Sequence, residues 1–496
     1  MDRKIHDGDV EMNYNEFLQT KSQGGINHGF KPIWMPDFLF DFQKCLFEWG
    51  LIKGRAALFE DCGLGKTVQA LVWAENIIKK ENCNVLILTP IAVGHQFISE
   101  GEKFGIECHR CSDGVVRRGI NITNYEKLHL FDPNNFGGIV CDESSILKHF
   151  TGSTQMHVTR FMLKIPYRLL CSATPAPNDF IELGTSSEAL GELGYSDMLS
   201  RFFVQDDSKA FRMNEVKLSR AAHNPNHFAR LSYRIAQTIN QWRMKAHAEE
   251  AFWRFVASWA RVCKKPNDLG FPDGDFILPA LTENQHIIKP SRPADGMLFQ
   301  LPAFGLKEER EERKRTLNER CEYIARLVDH GKPAFVGCHL NSEGDLLEKM
   351  IHDGIQVSGS DSEEEKEEKF LAFINGQTRV LITKPKIGAW GLNFQHCAHV
   401  VSFVSHSYEQ QYQFVRRCWR FGQKNPVTVD LIATEGESRV MENVVRKEKA
   451  ASIMFDRMME HMNNALGIIP RVGNNEVKLP SWIKEKANDR EPVNHG

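Results

Sequence analysis

The sequence predicts an α/β protein made of two parallel-sheet domains with a helical and irregular segment between them. Three observations carry this prediction. Short apolar runs alternate with helical patterns in two separate regions, which is the pattern of parallel α/β units. The stretch between them has no such strand rhythm. At 496 residues, the chain is longer than one ordinary core encloses.

Taken in order, residues 1–29 form an N-terminal extension, and the first domain spans 30–185. Its candidate strands are AALF (56–59), VLILT (85–89), NIT (121–123), GIVCD (138–142) and RLLCSA (168–173). Residues 186–306 are the insertion and linker. There Phe252, Phe255, Val256 and Trp259 recur at i, i+3, i+4 and i+7, so they share one face of an amphipathic helix. That basic, aromatic stretch either braces the first domain or grips nucleic acid. The charged run KEEREERKRTLNER opens the second domain, 307–450, as a helix. Its strands are PAFVGC (333–338), GIQV (354–357), RVLIT (379–383), HVVSFV (399–404) and VTVDLI (427–432), and EEEKEEK (363–369) is a solvated helix face. Residues 451–496 are a tail.

Composition narrows the class. The chain is 42% hydrophobic and 25% charged with a formal net charge of −2, so it is not a wholly basic nucleic-acid coat. Its 62 Lys plus Arg still leave room for a basic groove. No apolar run approaches the ~18 to 20 residues of a membrane span, and the opening MDRKIHDGDVEM lacks a signal peptide's apolar core. The expected location is the cytoplasm. Most of the 12 cysteines sit singly in apolar runs, as small buried hydrophobes do. Cys108 and Cys111 (CHRC) have the spacing of a zinc-ligand pair or of a plain turn.

The stretch LFEDCGLGKTVQAL (58–71) follows a predicted strand and opens a predicted helix. A turn of that kind points backbone N–H groups at phosphate. Gly63, Leu64 and Gly65 form the turn, Lys66 meets the β and γ phosphates of ATP, and the Thr67 hydroxyl reaches Mg²⁺. Glu60 stands where the usual pattern has its first glycine, so a glycine-rich strand–helix turn is the alternative from this stretch alone. GIVCDESS then carries Asp142 and Glu143 to a strand's C-terminal end, where open α/β sheets bind ligands. Asp142 suits the metal, and Glu143 suits the nucleophilic water.

LFEDCGLGKT, CDESS and CSATPAPND, in this order, resemble the Walker A, Walker B and Ser-Ala-Thr segments of superfamily 2 helicases and translocases. The acidic pair before Gly-Leu-Gly-Lys-Thr resembles that of Swi/Snf-type members. In the second domain, GAWGLNFQ (388–395) resembles the fifth motif and QFVRRCWRFGQ (413–423) the sixth. Arg417 and Arg420 lie three apart on one helix face, and two guanidiniums so placed can stabilise charge on a γ-phosphate. The opening NYNEFLQTKSQGG and the helix WRMKAHAEEAFWRFVASWA are similar to compact Swi/Snf-like proteins of bacteriophages and prophages.

The resemblance covers residues 36–180 and 317–450 and implies two RecA-like lobes with ATP and Mg²⁺ between them. Glu143, Arg417 and Arg420 would be catalytic. Gln43, Gly63, Leu64, Gly65, Lys66, Thr67, Asp142, Gly391 and Asn393 would hold nucleotide, with Thr67 and Asp142 on magnesium. Gln43 either reads adenine or is a core-helix glutamine. LTPIAVGHQF (88–97) and NITNYEKL (121–128) would touch the backbone of nucleic acid, above all double-stranded DNA. The implied activity is DNA-stimulated ATP hydrolysis driving translocation in a bacterial or phage-infected cell. A strand-separating helicase and an ATP-switched clamp with negligible turnover are the alternatives. Two departures stand out. DESS replaces DEAH or DEAD, which bears on the contact that the fourth residue makes with the Ser-Ala-Thr segment, and the middle region is short beside remodeller insertions.

Overall fold

The computed structural model describes residues 26–90, 93–148, 150, 152–205, 242–289, 306–388, 392–405 and 407–466. Lobe 1 begins with α1 (Asp41–Lys53), β1 (Arg55–Glu60) and α2 (Lys66–Glu81). Then come β2 (Asn84–Thr89), α3 (Gly94–Phe104), β3 (Cys108–Arg110), β4 (Ile120–Asn124), β5 (Phe136–Asp142), α4 (Ser153–Met162) and β6 (Tyr167–Cys171). Helices α5 (Leu183–Leu190) and α6 (Tyr195–Phe202) lead into a short antiparallel ribbon, β7 (Phe203–Gln205) with β8 (Trp242–Met244). The chain then enters α7 (Glu249–Trp259) and β9 (Ala260–Cys263).

Among the described residues the lobe 1 sheet has the order β3-β4-β2-β5-β6-β1-β9, and every pairing is parallel. Helices cover both faces, so the central strands are apolar throughout rather than alternating. Ala56, Leu58, Val85 and Ile87 pack with α1 and α2. Ala57, Phe59, Leu86 and Leu88 face the opposite cluster, with Trp253, Val256 and Trp259 of α7. Strand β9 was not foreseen in the sequence. It pairs with β1 at the sheet edge, so the part of the predicted insertion through Cys263 belongs to lobe 1.

Lobe 2 opens with β10 (Leu281–Ile288), another strand absent from the sequence reading. The charged run folds as two helices, α8 (Leu306–Arg315) and α9 (Leu317–Leu327). They are followed by β11 (Ala334–Gly337), α10 (Asn341–Met350), β12 (Gly354–Val357), α11 (Glu363–Ile374), β13 (Val380–Thr383), β14 (His399–Phe403), α12 (Tyr408–Val415), β15 (Val427–Thr434) and α13 (Ser438–Leu466). The described strands form a second all-parallel sheet, β10-β15-β14-β11-β13-β12. The architecture is two RecA-like lobes.

Helix α13 joins them. Val440, Met441 and Val444 pack against Val404 and Ala433 of lobe 2, whereas Met454, Phe455 and Met458 enter the core of lobe 1. The predicted tail therefore begins inside a helix that both lobes share.

The CHRC stretch is no metal site. Cys111 is buried on one face of the lobe 1 sheet and its thiol donates to Asn121 Oδ1 at 3.2 Å, while Cys108 packs against the cluster on the other face. Two residues three apart along an extended chain point to opposite sides. Among the described residues no group of three or more metal-ligating side chains gathers anywhere, and no helix is long and apolar enough to cross a membrane.

Candidate nucleotide site between the lobes

Strand β1 ends at Glu60 and α2 begins at Lys66, so residues 61–65 must reverse the chain tightly. Gly63 and Gly65 do this with φ of +89° and +85°, values that a side chain resists. A Cβ on Gly65 would stand 2.3 Å from Gln43 Nε2, and one on Gly63 would stand 3.0 Å from the Phe421 nitrogen of lobe 2. Both glycines are thus required by close approach as well as by backbone angle. Leu64 is buried beneath the turn. The Lys66 ammonium donates to the carbonyls of Glu60 and Asp61 at 2.8 and 3.1 Å.

One sheet neighbour, β6, separates β1 from β5, which delivers Asp142 and Glu143. Glu143 sits at φ +51°, a left-handed conformation unusual for a residue with a side chain and the kind of strain that collects at functional sites. Across the cleft, Gln413 Nε2 of α12 donates to Glu143 Oε2 at 3.3 Å. Arg417 and Arg420 follow α12 directly, in the turn and bend beyond its end at Val415 rather than on the helix face expected from the sequence.

These pieces line one cavity of about 400 Å³. Lobe 1 contributes Gln43, Gly63, Gly65, Lys66, Thr67, Asp142 and Glu143, and lobe 2 contributes Asn393, Arg417 and Arg420. Gly391 lies outside the described residues. Electrostatics separate the groups. Burial, and then the Glu143 charge, push Asp142 up to about 7, with Lys66 and Arg417 opposing. Glu143 is also raised, chiefly by burial. Burial works against the Lys66 charge, but Cys62, Glu143, Glu60 and Asp142 outweigh it and raise the group. Arg420 is brought down to about 10 by burial and by Arg417 beside it. Its Nε is buried without a hydrogen-bond partner. Cations on both walls, one with an unused buried donor, fit a polyanion. Hydroxyl and carboxylate oxygens from Thr67 and Asp142 fit a hard divalent cation such as magnesium.

The chain matches no protein-family model and no curated protein. Among solved structures, the Sulfolobus solfataricus SWI2/SNF2 ATPase core in complex with dsDNA is similar to it at 15% identity, over 89% of this chain and 100% of that one, with a TM-score of 0.39. At that level the likeness decides nothing, and the fold rests on the two sheets themselves.

Gln43 is buried and braces the glycine turn at residues 63–65. Its Oε1 accepts from Phe40 N at 3.0 Å and its Nε2 donates to Leu64 O at 2.8 Å. Each end of the amide has capacity for one further bond. Beside it stands an aromatic wall that the sequence did not disclose. Phe276 stacks on Phe421 of lobe 2 with centroids 4.5 Å apart, and Phe40 and Phe42 meet Phe276 edge-on at 5.0 Å each. Four phenylalanines from three stretches distant in sequence carry no shared signal until the chain folds.

The third residue of the DESS motif, Ser144, and the Ser-Ala-Thr segment are not joined by their hydroxyls. Thr174 Oγ1 in the Ser-Ala-Thr segment and Ser144 Oγ are both buried without a hydrogen-bond partner, and Ser172 Oγ instead accepts from Thr174 N at 3.1 Å. The segments matched to backbone contacts lie at the C-terminal ends of neighbouring strands, where Thr89 of β2 pairs in register with Asn124 of β4. Asn124 caps the following 3-10 turn through Lys127 N, and His95 shares a 2.6 Å hydrogen bond with Arg110. Residues 91–92 of the first segment lie outside the described residues.

Proposed function

We propose that the chain is an ATP-driven motor that translocates along double-stranded DNA through contacts to the phosphate backbone. A single observation supports this most: Lys66, Asp142 and Glu143 of one lobe share a cavity with Arg417 and Arg420 of the other. Groups split across a cleft act together only while it is closed, so hydrolysis is tied to interdomain motion. In this reading Lys66 and the turn N–H groups bind the β and γ phosphates. Glu143, held by Gln413, orients the attacking water and takes its proton. Arg417 and Arg420 neutralise charge developing on the transferred phosphoryl group. Thr67 and Asp142 would hold magnesium, which supplies further neutralisation of the phosphate oxygens when bound. Gln43 would read adenine with its spare bonding capacity, and Gly391 and Asn393 would approach the nucleotide from lobe 2. The resemblance to compact phage-type proteins supports placing the motor in the cytoplasm of a bacterial or phage-infected cell.

The test pairs Glu143→Gln with wild type. The expected variant binds ATP normally and hydrolyses it at a rate lower by a factor on the order of 10² to 10⁴, the usual range for a lost general base. Duplex DNA at low salt should accelerate wild-type turnover and drive triplex displacement without opening a forked duplex. Unimpaired hydrolysis in the variant removes Glu143 from the reaction. Indifference to DNA refutes the motor.

A further inference from the structure

Arg416 precedes the finger arginines and takes no part in the cavity, yet it is buried at 3% side-chain exposure between the lobes. Its Nη2 lies 2.8 Å from Asp61 Oδ2 and donates to the Cys62 carbonyl, also at 2.8 Å. Tyr412, one helical turn earlier on α12, donates its hydroxyl to Asp61 Oδ1. The guanidinium lies over the Tyr412 and Trp419 rings at 5.8 and 4.9 Å. Asp61 in turn belongs to the base of the phosphate turn: its Oδ1 accepts from Cys62 N at 2.7 Å and its carbonyl accepts from Lys66.

We propose that Arg416 and Asp61 form an interlobe latch, in which Arg416 is a positioning residue that fixes α12 on the phosphate turn and so sets where Arg417 and Arg420 stand. Arg416 is adjacent to Arg417 along the chain, so a sub-ångström shift of one moves the other. A buried charge pair is a two-state contact: it is made at close range, or both ions must be rehydrated. Arg416 Nε and Nη1 are buried with no hydrogen-bond partner, so the pair is not saturated. A latch left partly unsatisfied holds the closed form less deeply than a complete network would, and it can reopen on each cycle. Lys148 of lobe 1 and Glu409 of α12 make a second ion pair across the same seam. The catalytic consequence rests on the motor reading above, but the latch itself is a property of the protein alone.

The experiment follows lobe separation by single-molecule energy transfer between dyes placed through non-natural amino acids at exposed Lys80 and Lys332, with no nucleotide added. Arg416→Ala and Asp61→Asn should each raise the open fraction about ten- to hundredfold, the range that one charged hydrogen bond commands. The double variant should open by less than the product of the two single effects, because each single already loses the Arg416–Asp61 pair, while Arg416→Ala alone also removes the bond to the Cys62 carbonyl. Arg416→Lys, which keeps the charge, should restore most of the closed population. In ATPase assays Arg416→Ala should lower kcat by a similar factor while a fluorescent ATP analogue binds within about threefold of wild type, the split expected when positioning rather than binding is lost. If Arg416→Ala does not fold, Asp61→Asn and Arg416→Lys carry the test. Unchanged energy transfer in the variants, or effects that multiply in the double variant, overturns the latch. Opening in the variants of a chain that shows no hydrolysis would sink the motor reading and leave the latch standing.

Discussion

Replacing Glu60 by Gln should alter stability at high pH and leave it nearly unchanged at low pH. Glu60 ends β1 with no exposure to solvent, and Gln69 Nε2 donates to its Oε2 at 2.7 Å. Its other oxygen is buried without a partner. Burial pushes the carboxyl up to about 7 from 4.5, against the Lys66 charge and the Gln69 hydrogen bond. A group held above its unfolded pKa stabilises the fold fully below the unfolded value, and that contribution is lost as pH rises through the folded value. The window therefore runs from about 4.5 to about 7. At about 1.4 kcal/mol per pH unit, ionising Glu60 costs the fold roughly 3 kcal/mol. Gln keeps an acceptor for Gln69 and removes the ionisation. Urea denaturation near pH 5 and near pH 8 reads the result: the variant should gain about 2.5 kcal/mol on wild type between the two, since the first part of the loss already falls below pH 5. Asp142 has the same sign in both proteins and cancels in the difference. A gap between variant and wild type that stays constant with pH would refute the reasoning.

Two further substitutions probe closure. Arg420→Ala should lower kcat by at least about 10³, as loss of an arginine finger does, with the nucleotide still bound in a fluorescence titration. A rate within a fewfold of wild type would leave Arg420 without a role. Gly63→Ala places a methyl 3.0 Å from the Phe421 nitrogen and forces a left-handed backbone costing about 1 to 2 kcal/mol, so kcat/KM should fall while lobe 1 remains folded by circular dichroism. Wild-type turnover in that variant would mean the lobes need not approach so closely.

Much of the scaffold was legible in the sequence because central parallel strands must be apolar on both faces. AALF, VLILT, GIVCD, VLIT and HVVSF announce themselves for that reason. The strands that escaped notice lack the requirement. Among the described residues strand β10 has a single neighbour and stays largely exposed along LTENQHII, so it needs no apolar run. Strand β9 follows Trp259 with no breaker, and pairing with β1 rather than local pattern ends the helix there. The glycine turn, Asp142, Glu143 and the two arginines stand out in the sequence because the chemistry proposed for them restricts residue type at fixed spacing. Arg416, Tyr412 and Asp61 are not. Tyr412 and Arg416 share a helix face, but their partner lies some 350 positions away in the other lobe, and only the packed structure supplies that address.

Helix α13 gives the molecule a second polypeptide crossing of the cleft, in addition to residues 264–280. At 29 residues it is about 44 Å long, a rod anchored at each end in a different body. Bodies joined at two points cannot drift apart as beads on a string do. Their freedom reduces to a swing about the line through both crossings, so the tilt this rod can tolerate sets an upper bound on the stroke of the proposed motor.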